Sequence, residues 1–324
     1  MSHPYQQELE VALAAVRTAA SICQSVQAGI TPAALEKKDR SPVTIADFAS
    51  QAVVCRGIRA KYDDPIIGEE GSAELRTDEG AEFLSRVVSE VNAAGIEGSG
   101  DDICDWIDHG SAKDHSDRFW TLDPIDGTKG FLRGEQYAVA LALIVNGQID
   151  LGIVACPNLA DVGGAKGTTC VAVRGHGAWT VPLGGGDNTP AKVTVTTDSS
   201  AAKFCESVES GHSSHDHSAQ IAAILGMTAD SVRLDSQAKY AVVGRGEADI
   251  YLRLPTRPNY REKIWDHAGG VLFCEEAGGT VTDVTGKPLE FTHGFELSQN
   301  RGVVVTNGPL HDAVIAAIKE VGIS

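Results

Sequence analysis

This 324-residue sequence has few basic residues, no long apolar run and no cysteine framework. Lys and Arg total 27 against 44 Asp and Glu, which gives a formal net charge of −17. This acidity argues against nucleic acid or an anionic membrane as the main partner. It does not exclude a small phosphorylated molecule, because bound cations and a few local basic side chains can reverse the field inside one cleft.

The longest apolar run, residues 137–145, is far too short to cross a bilayer. The seven cysteines are odd in number and scattered, and no C-x-x-C occurs among them. That pattern favours buried thiols in a reducing compartment over a disulfide or zinc framework. The first residues lack the basic start and apolar core of a signal peptide, and Glu8 and Glu10 argue against a transit peptide. The sequence therefore predicts a cytoplasmic protein.

The composition is that of a soluble globular protein, with 42% hydrophobic and 22% charged residues. The length suggests two domains that share an interface. We predict an N-terminal α+β domain over 1–195 and a C-terminal α/β domain over 196–324. In the first domain, apolar spacing predicts helices at 5–28 and 44–60 and a short strand within 64–70. An exposed loop of little regular structure is predicted at 97–117. An antiparallel meander is predicted from the β-rich runs at 137–146, 149–156 and 169–174.

An alternating strand at 192–197 is predicted at the domain boundary. Helix and strand patterns then alternate through the second domain. The predicted elements are a helix at 215–226, a strand at 231–235, a helix at 237–245, a strand at 249–254, a helix at 266–277 and a hairpin around 286–287.

The most informative segment is Asp123-Pro-Ile-Asp126-Gly-Thr128, which follows a β-type run. Pro124 has no N–H with which to continue a ladder, so we predict that the strand ends and the chain turns here. Both carboxylates and the carbonyl of Ile125 would then converge, and these are the oxygen ligands that Mg²⁺ prefers. The backbone N–H groups of Gly127 and Thr128 would form an anion nest beside them. The alternative is a surface turn in which each Asp caps its own backbone.

Four more carboxylates are candidates for the same site, each with a simpler alternative. Glu69 and Glu70 follow an apolar strand, but adjacent acids on a loop are commonly just solvated. Asp47 ends the sequence Thr44-Ile-Ala-Asp47, which also has the form of a helix capping box. Asp266 opens a predicted helix and would serve equally as its N-cap.

A histidine-rich stretch and three polar residues complete the candidates. Residues 209–217 hold three histidines among Ser and Gly, which indicates either a transition-metal site or a polar loop. Ser236, Lys239 and Arg253 would bring hydrogen bonds and positive charge to an acidic chain, although surface solvation is the default for such side chains.

Three separated motifs in this order resemble the lithium-sensitive, metal-dependent phosphatases of the inositol monophosphatase and fructose-1,6-bisphosphatase superfamily. They are Gly68-Glu-Glu70, Asp123-Pro-Ile-Asp-Gly-Thr128 and Trp265-Asp266-x-Ala-Gly-Gly. The segments 38–44, 129–136, 208–216 and 234–240 are similar to those of the 3′(2′),5′-bisphosphate nucleotidases. The resemblance covers nearly the whole chain. It implies a layered αβαβα sandwich of two domains, with the active site between them.

The resemblance also implies roles for individual residues. Glu69, Asp123, Asp126, Asp266 and the carbonyl of Ile125 match the family's ligands for two or three Mg²⁺ ions, and Glu70 matches a supporting glutamate. Asp47 and Thr128 match the pair that orients and deprotonates the attacking water. Gly127 and Thr128 would contact the phosphate, and His212, Ser236, Lys239 and Arg253 fall where the family contacts the nucleotide. His215 is an alternative to His212 as the matching histidine.

The implied activity is hydrolysis of the 3′-phosphate of 3′-phosphoadenosine 5′-phosphate (PAP) to give AMP, by direct attack of a metal-activated water. The 5′-phosphosulfate analogue PAPS would be a second substrate, and Li⁺ an inhibitor with Na⁺ as a second candidate. Two rival functions remain open. One is a phosphatase of the same superfamily acting on inositol mono- or bisphosphate, and the other is a non-catalytic PAP sensor.

Overall fold

The computed structural model describes residues 3–30, 41–208, 215–257 and 259–323. Within these ranges the chain forms five layers, in the order helices, sheet, helices, sheet, helices. Three hydrophobic clusters fill the spaces on the two faces of the large sheet and on the outer face of the small one. The predicted αβαβα sandwich is therefore confirmed.

The first outer layer consists of α1 (Gln6–Ala28) and α2 (Ser41–Arg59), which pack together on the large sheet. By length and composition alone α1 would pass for a membrane-spanning helix, but its apolar face lies in the first hydrophobic cluster, as in a core helix. Three further helices belong to this half: α3 (Ala81–Ala93), α4 (Gly100–Asp108) and α5 (Thr128–Arg133).

Among the described residues, the large sheet has seven strands in sequential order, and only the first pair is parallel. The strands are β1 (Ile66–Gly68), β2 (Arg118–Asp126), β3 (Ala138–Val145), β4 (Gln148–Ala160), β5 (Lys166–Val173), β6 (Gly177–Pro182) and β7 (Thr189–Pro190). The predicted meander is confirmed as β3–β4–β5.

The small sheet has the order β11-β12-β10-β8-β9. Its strands are β8 (Phe204–Glu206), β9 (Val232–Arg233), β10 (Ile250–Arg253), β11 (Thr280–Thr282) and β12 (Val303–Thr306). Helices α7 (Ala238–Gly244) and α8 (Ala268–Glu276) lie between the sheets, while α6 (His215–Ile224) and α9 (His311–Glu320) are associated with the outer face of the small sheet.

Side-chain size decides how closely the middle helices approach the large sheet. In β3, Leu141 and Leu143 face the α1–α2 layer, whereas Ala140 and Ala142 face α8. In β4, a Cβ on Gly152 would lie 2.8 Å from the carbonyl oxygen of Gly269 in α8. The small residues therefore allow backbone contact between sheet and helix, and this brings α8 close to β3, β4 and β5.

Four local predictions are wrong. Helix α2 begins at Ser41, so Thr44–Asp47 lies inside the helix and cannot be its capping box. Residues 97–117 are not simply a loop, because α4 forms there behind a capping box of Ser99 and Asp102. Residues 191–198 form no strand, and the side chain of Asn307 holds this segment by donating to Thr194 and Thr196.

The fourth error is the hairpin around 286–287. A turn is present, since Gly286 adopts a positive φ of 83° and its N–H donates to the carbonyl of Asp283. The strand before it pairs with β12 instead of with the residues just after the turn. The other predicted elements of the second half are confirmed within a few residues. The division at 195/196 stays a prediction.

Candidate active site

A cavity of about 200 Å³ lies between the two halves of the chain and collects most of the predicted site residues. Predicted members of its lining are Glu69, Asp123, Ile125, Asp126, Gly127, Thr128, Ser236, Lys239, Arg253 and Asp266. A larger groove of about 1030 Å³, between the start of α1 and β6, contains none of them. The chemistry that the sequence predicts is thus concentrated in the smaller cavity.

The pair Asp123 and Asp126 converges because of a β-bulge, not because the strand ends. Asp123 pairs with Ala140 of β3 and Asp126 pairs with Ala138, so Pro124 and Ile125 together oppose a single residue. In a regular strand, residues three apart point to opposite faces. The extra residue places both carboxylates on the face that packs against the middle helices. The strand does end before the turn, as predicted, but at Asp126 and not at Pro124, and it is the bulge that produces the predicted convergence.

Gly127 makes the turn immediately after the bulge. Its φ of 90° and ψ of 45° lie in the left-handed region, and it caps the N-terminus of α5. A Cβ here would lie 2.9 Å from the Cβ of Ser236. The position thus requires glycine for two reasons, namely its backbone conformation and the close approach of the second half of the chain. Thr128 is the first residue of α5 and is exposed at the cavity.

Glu69, Glu70 and Asp47 approach from the other side of the carboxylate pair. Glu69 and Glu70 come directly after β1, which ends at Gly68 and runs parallel to β2. Asp47 lies on α2 and is buried beneath them, with 6% of its surface exposed. Asp47 and Glu70 do not line the cavity themselves, but both carboxylates act electrostatically within this cluster.

Burial and mutual repulsion disfavour the ionised form of the carboxylates in this cluster. Burial, followed by repulsion from Glu69, raises the pKa of Asp123 well above its ordinary value. Burial and the charge of Glu70 do the same to the pKa of Asp47. Lost solvation and the neighbouring Asp126 raise the pKa of Asp266 to about 6. Glu69 reaches solvent, yet desolvation at the cavity mouth and the charge of Asp266 raise its pKa to about 8.

These residues fit a divalent cation. Within the described ranges, the Oδ1 atoms of Asp123 and Asp47 are buried and accept no hydrogen bond. Buried carboxylate oxygens without partners are costly unless a cation or a proton satisfies them. The donor set is entirely oxygen, as hard cations such as Mg²⁺ require.

We expect the metal-free protein to lose stability as pH rises from about 5 to about 8. The folded state holds its protons at Asp266 and Glu69 more tightly than the unfolded chain, whose carboxyl groups titrate near pH 4. Stability is therefore highest below the unfolded pKa and falls as pH rises through the folded values near 6 and 8. Thermal unfolding with chelator at each pH measures this trend.

Adding Mg²⁺ should flatten the pH trend, because the cation replaces the lost protons. The Asp266→Asn variant should also show a shallower slope with chelator present. A metal-free melting temperature that is constant or rises between pH 5 and pH 8 would contradict the clustering of these charges.

The second half of the chain is tied to the carboxylates through Gln237, which is buried. Its backbone N–H donates to Asp126 at 2.5 Å. Its side chain donates to the carbonyl of Trp265 at 2.9 Å and accepts the N–H of Gly270 at 3.0 Å. This residue therefore connects the bulged strand, the segment that carries Asp266 and the first turn of α8.

Two cations face the acidic side of the cavity. Lys239 is 3% exposed, and its Nζ donates to the carbonyl of Ser236 at 2.8 Å and lies 5.2 Å from the ring centroid of Tyr251. Burial lowers the pKa of Lys239, and the charge of Asp126 opposes that shift. Arg253, at the end of β10, donates its Nε to both oxygens of Glu262 at 3.1 and 3.2 Å.

Glu262, Asp266 and His267 place their ligand atoms within 4.8 Å of one another, which is a geometry that can hold a metal ion. Glu262, however, already accepts hydrogen bonds from Arg253 and lies 3.2 Å from Nε2 of His267. Nδ1 of that histidine is 2.7 Å from the hydroxyl of Tyr240. Asp266 thus remains the member of this group that faces the other carboxylates.

Asp266 is not the N-cap of α8, because the helix begins at Ala268 and His267 occupies the cap position. His212 lies outside the described residues, and so does the side chain of His215. Sequence reasoning missed several cavity residues, namely Gln237, Tyr240, Tyr251, Tyr260 and His267. Gln237, Tyr240 and His267 had a local signal, since each adjoins a predicted site residue.

Comparison with known proteins agrees with this architecture. A model described as the inositol monophosphatase family matches residues 5–322. The 3′(2′),5′-bisphosphate nucleotidase 1 of Candida albicans is 42% identical, with 99% of this chain and 97% of that protein covered. The 3′(2′),5′-bisphosphate nucleotidase of Schizosaccharomyces pombe is also 42% identical, with coverages of 97% and 95%.

Solved structures share the fold at lower identity. The inositol monophosphatase from Anabaena superposes with a TM-score of 0.63 at 22% identity, covering 98% of this chain and 97% of that one. CysQ from Bacteroides thetaiotaomicron, a bacterial member of the inositol monophosphatase family, superposes with a TM-score of 0.63 at 20% identity. The match covers 94% of this chain and 98% of that one. This chain therefore belongs to the inositol monophosphatase family and, by its relatives at 42% identity, to the 3′(2′),5′-bisphosphate nucleotidases within it.

Proposed function

We propose that this protein is a Mg²⁺-dependent phosphatase that hydrolyses the 3′-phosphate of PAP, with water, to AMP and inorganic phosphate. The carrying observation is the composition of the cavity, whose lining holds four carboxylates together with Lys239 and Arg253. A substrate with two phosphates spans such a site, with one phosphate at the carboxylate side and the other at the cations. The names of the relatives at 42% identity support the same substrate.

The residues that would hold two or three Mg²⁺ ions are Glu69, Asp123, Asp126, Asp266 and the carbonyl of Ile125, with Glu70 in support. When bound, these cations would neutralise charge on the phosphoryl group and lower the pKa of a water molecule bound to them. Asp47, buried beneath the Glu69–Glu70 segment, would accept the proton of the attacking water, and Thr128, which lines the cavity, would orient that water. The N–H groups of Gly127 and Thr128 would hold the 3′-phosphate.

Selection among substrates would come from the second half of the chain. Ser236, Lys239 and Arg253 would contact the 5′-phosphate and ribose, and His212 or His215 the base. PAPS fits the same contacts, because its 5′ group is also anionic and its 3′-phosphate is identical. We place the enzyme in the cytoplasm, with small molecules and not nucleic acid or membranes as its partners.

The deciding experiment is phosphate release in Mg²⁺ from PAP, PAPS, inositol 1-phosphate and inositol 1,4-bisphosphate. We expect kcat/KM to be highest for PAP and PAPS. Faster release from the inositol phosphates would favour the rival phosphatase function. PAP binding without turnover would favour the sensor.

Lithium at millimolar concentration should inhibit turnover by competing with Mg²⁺ and not with PAP. The reason is the all-oxygen donor set, which suits small hard cations. Initial rates measured near half-saturating Mg²⁺ should fall with Li⁺, and excess Mg²⁺ should restore them. NaCl is the second test salt, and KCl at equal ionic strength is the control. Equal rates in LiCl and KCl would contradict this arrangement of the site.

A further inference from the structure

Helix α2 contacts both carboxylate-bearing segments through neighbouring side chains. Ser50 is fully buried, and its hydroxyl donates to the carbonyl of Pro124 at 2.9 Å, inside the β2 bulge. Gln51 is also fully buried and points to the Glu69–Glu70 segment. Asp47 lies one helical turn before Gln51 and therefore on the same face of the helix.

The amide of Gln51 uses both its oxygen and its nitrogen. Its Oε1 accepts the backbone N–H of Glu70 at 3.0 Å, while its Nε2 donates to the carbonyl of Glu70 at 2.6 Å and to that of Ile107 at 3.0 Å. This two-way contact with one residue imitates a β-ladder at a point where β1 has already ended. Only an amide side chain offers a donor and an acceptor in this geometry.

Two glycines leave space for this amide. A Cβ on Gly68 would lie 2.7 Å from its Oε1, and one on Gly110 would lie 2.7 Å from its Nε2. The backbone N–H of Gly68 also donates to the carbonyl of Gly110 at 2.8 Å. The Gln51 side chain is therefore enclosed between the end of β1 and the end of α4, and it has little freedom to adopt another rotamer.

We infer that Ser50 and Gln51 are positioning residues that set the separation between the Glu69–Glu70 segment and the Asp123–Asp126 bulge. Because these segments carry carboxylates of the candidate metal site, the pair controls the affinity of the site for divalent cations. The inference rests on the proposed function. It assigns no contact of either side chain with the metal or the substrate.

Mn²⁺ binding, measured without substrate from the electron paramagnetic resonance signal of the free ion, tests this inference directly. Gln51→Met keeps the volume of the side chain but removes both kinds of hydrogen bond, so it should raise the Mn²⁺ Kd roughly 10-fold or more, as loss of a residue that orients metal ligands does. Ser50→Ala removes one hydrogen bond and should raise the Mn²⁺ Kd about threefold, which is a smaller effect of the same kind.

Asn300 provides the matched control. It is a buried amide that accepts the N–H of Glu290 at 2.8 Å and donates to the carbonyl of Pro288 at 2.9 Å, and it does not line the cavity. Asn300→Leu should lower the melting temperature much as Gln51→Met does, while leaving the Mn²⁺ Kd within twofold of wild type. If Gln51→Met does not fold, Ser50→Ala still tests the inference.

Mn²⁺ affinities within twofold of wild type in the folded α2 variants would overturn the inference, whatever the substrate proves to be. Equal loss of affinity in Asn300→Leu would also overturn it, since the effect would then be general destabilisation. If the wild-type protein bound no Mn²⁺, the inference and the proposed metal site would fail together. If it bound Mn²⁺ but did not hydrolyse PAP, only the proposed function would fail.

Discussion

Asp123→Asn is expected to reduce kcat at least about 100-fold while the protein remains folded, because electrostatic interactions made in a transition state are typically worth factors of ~10² or more. Asn preserves the shape of the side chain but removes one negative charge from a buried cluster. Burial and repulsion already raise the pKa of Asp123 well above its ordinary value. The metal-free variant should therefore be at least as stable as wild type at pH 8, even as its affinity for Mg²⁺ falls.

Steady-state turnover at moderate Mg²⁺, together with thermal unfolding in chelator, measures both parts of this prediction. Asp283→Asn is the matched control, because Asp283 is buried, accepts two backbone N–H groups in the 283–287 turn and does not line the cavity. The Asp283→Asn variant should have a lower melting temperature than wild type but the same turnover rate. An Asp123→Asn enzyme that retained more than about a tenth of the wild-type rate would remove this carboxylate from the metal site.

Lys239→Ala should raise KM for PAP while leaving Mg²⁺ binding nearly unchanged. Hydrogen bonds to a charged group contribute about 1.5–3 kcal/mol, so the expected rise is roughly 10- to 100-fold. The lysine lies in α7, and its Nζ donates to the carbonyl of Ser236 and lies over the ring of Tyr251. Activity on adenosine 3′-monophosphate, which lacks the 5′-phosphate, should change much less.

Two variants separate charge from packing in this experiment. Lys239→Met replaces the charged end with an apolar one of similar length and should raise KM nearly as much as Ala, because the lost charge dominates. Lys287→Ala removes an exposed lysine outside the cavity and should have no effect. If Lys239→Ala lowered activity on both substrates equally, or on neither, Lys239 would not select for the 5′-phosphate.

The residues of the cavity could be predicted from the sequence because each motif is short and chemically unusual. Asp123-Pro-Ile-Asp126 concentrates metal-type oxygens in four residues, and ten predicted residues line one cavity. The helix–strand order of the second half could be predicted from apolar periodicity, which does not depend on distant contacts. His212 lies outside the described residues, so its proposed contact with the nucleotide stays a prediction.

The errors arose where tertiary contacts override local pattern. The segment 97–117 is so acidic and Gly-rich that three buried residues of α4, Ile103, Cys104 and Ile107, were not recognised as one helix face. The alternation at 192–197 is typical of a strand, but the hydrogen bonds of this segment go to the carbonyl of Ala277 and to the side chains of Asn307 and Asp249 instead of to a neighbouring strand. Gln51 carries no sequence signal at all, because a buried glutamine on an amphipathic helix looks like any polar residue.

The β-bulge in β2 has a consequence for how this protein tolerates insertions and deletions. Removing either Pro124 or Ile125 would leave one residue between the aspartates and restore a regular strand, in which both side chains still point to the same face. What would be lost is the bulge itself, and with it either the carbonyl of Pro124 that accepts from Ser50 or the carbonyl of Ile125 that is proposed as a metal ligand. The spacing of two residues between these aspartates therefore serves the chemistry of the site, because the pairing of Asp126 with Ala138 would survive its loss. Natural variants should substitute residues 124 and 125 but never change their number.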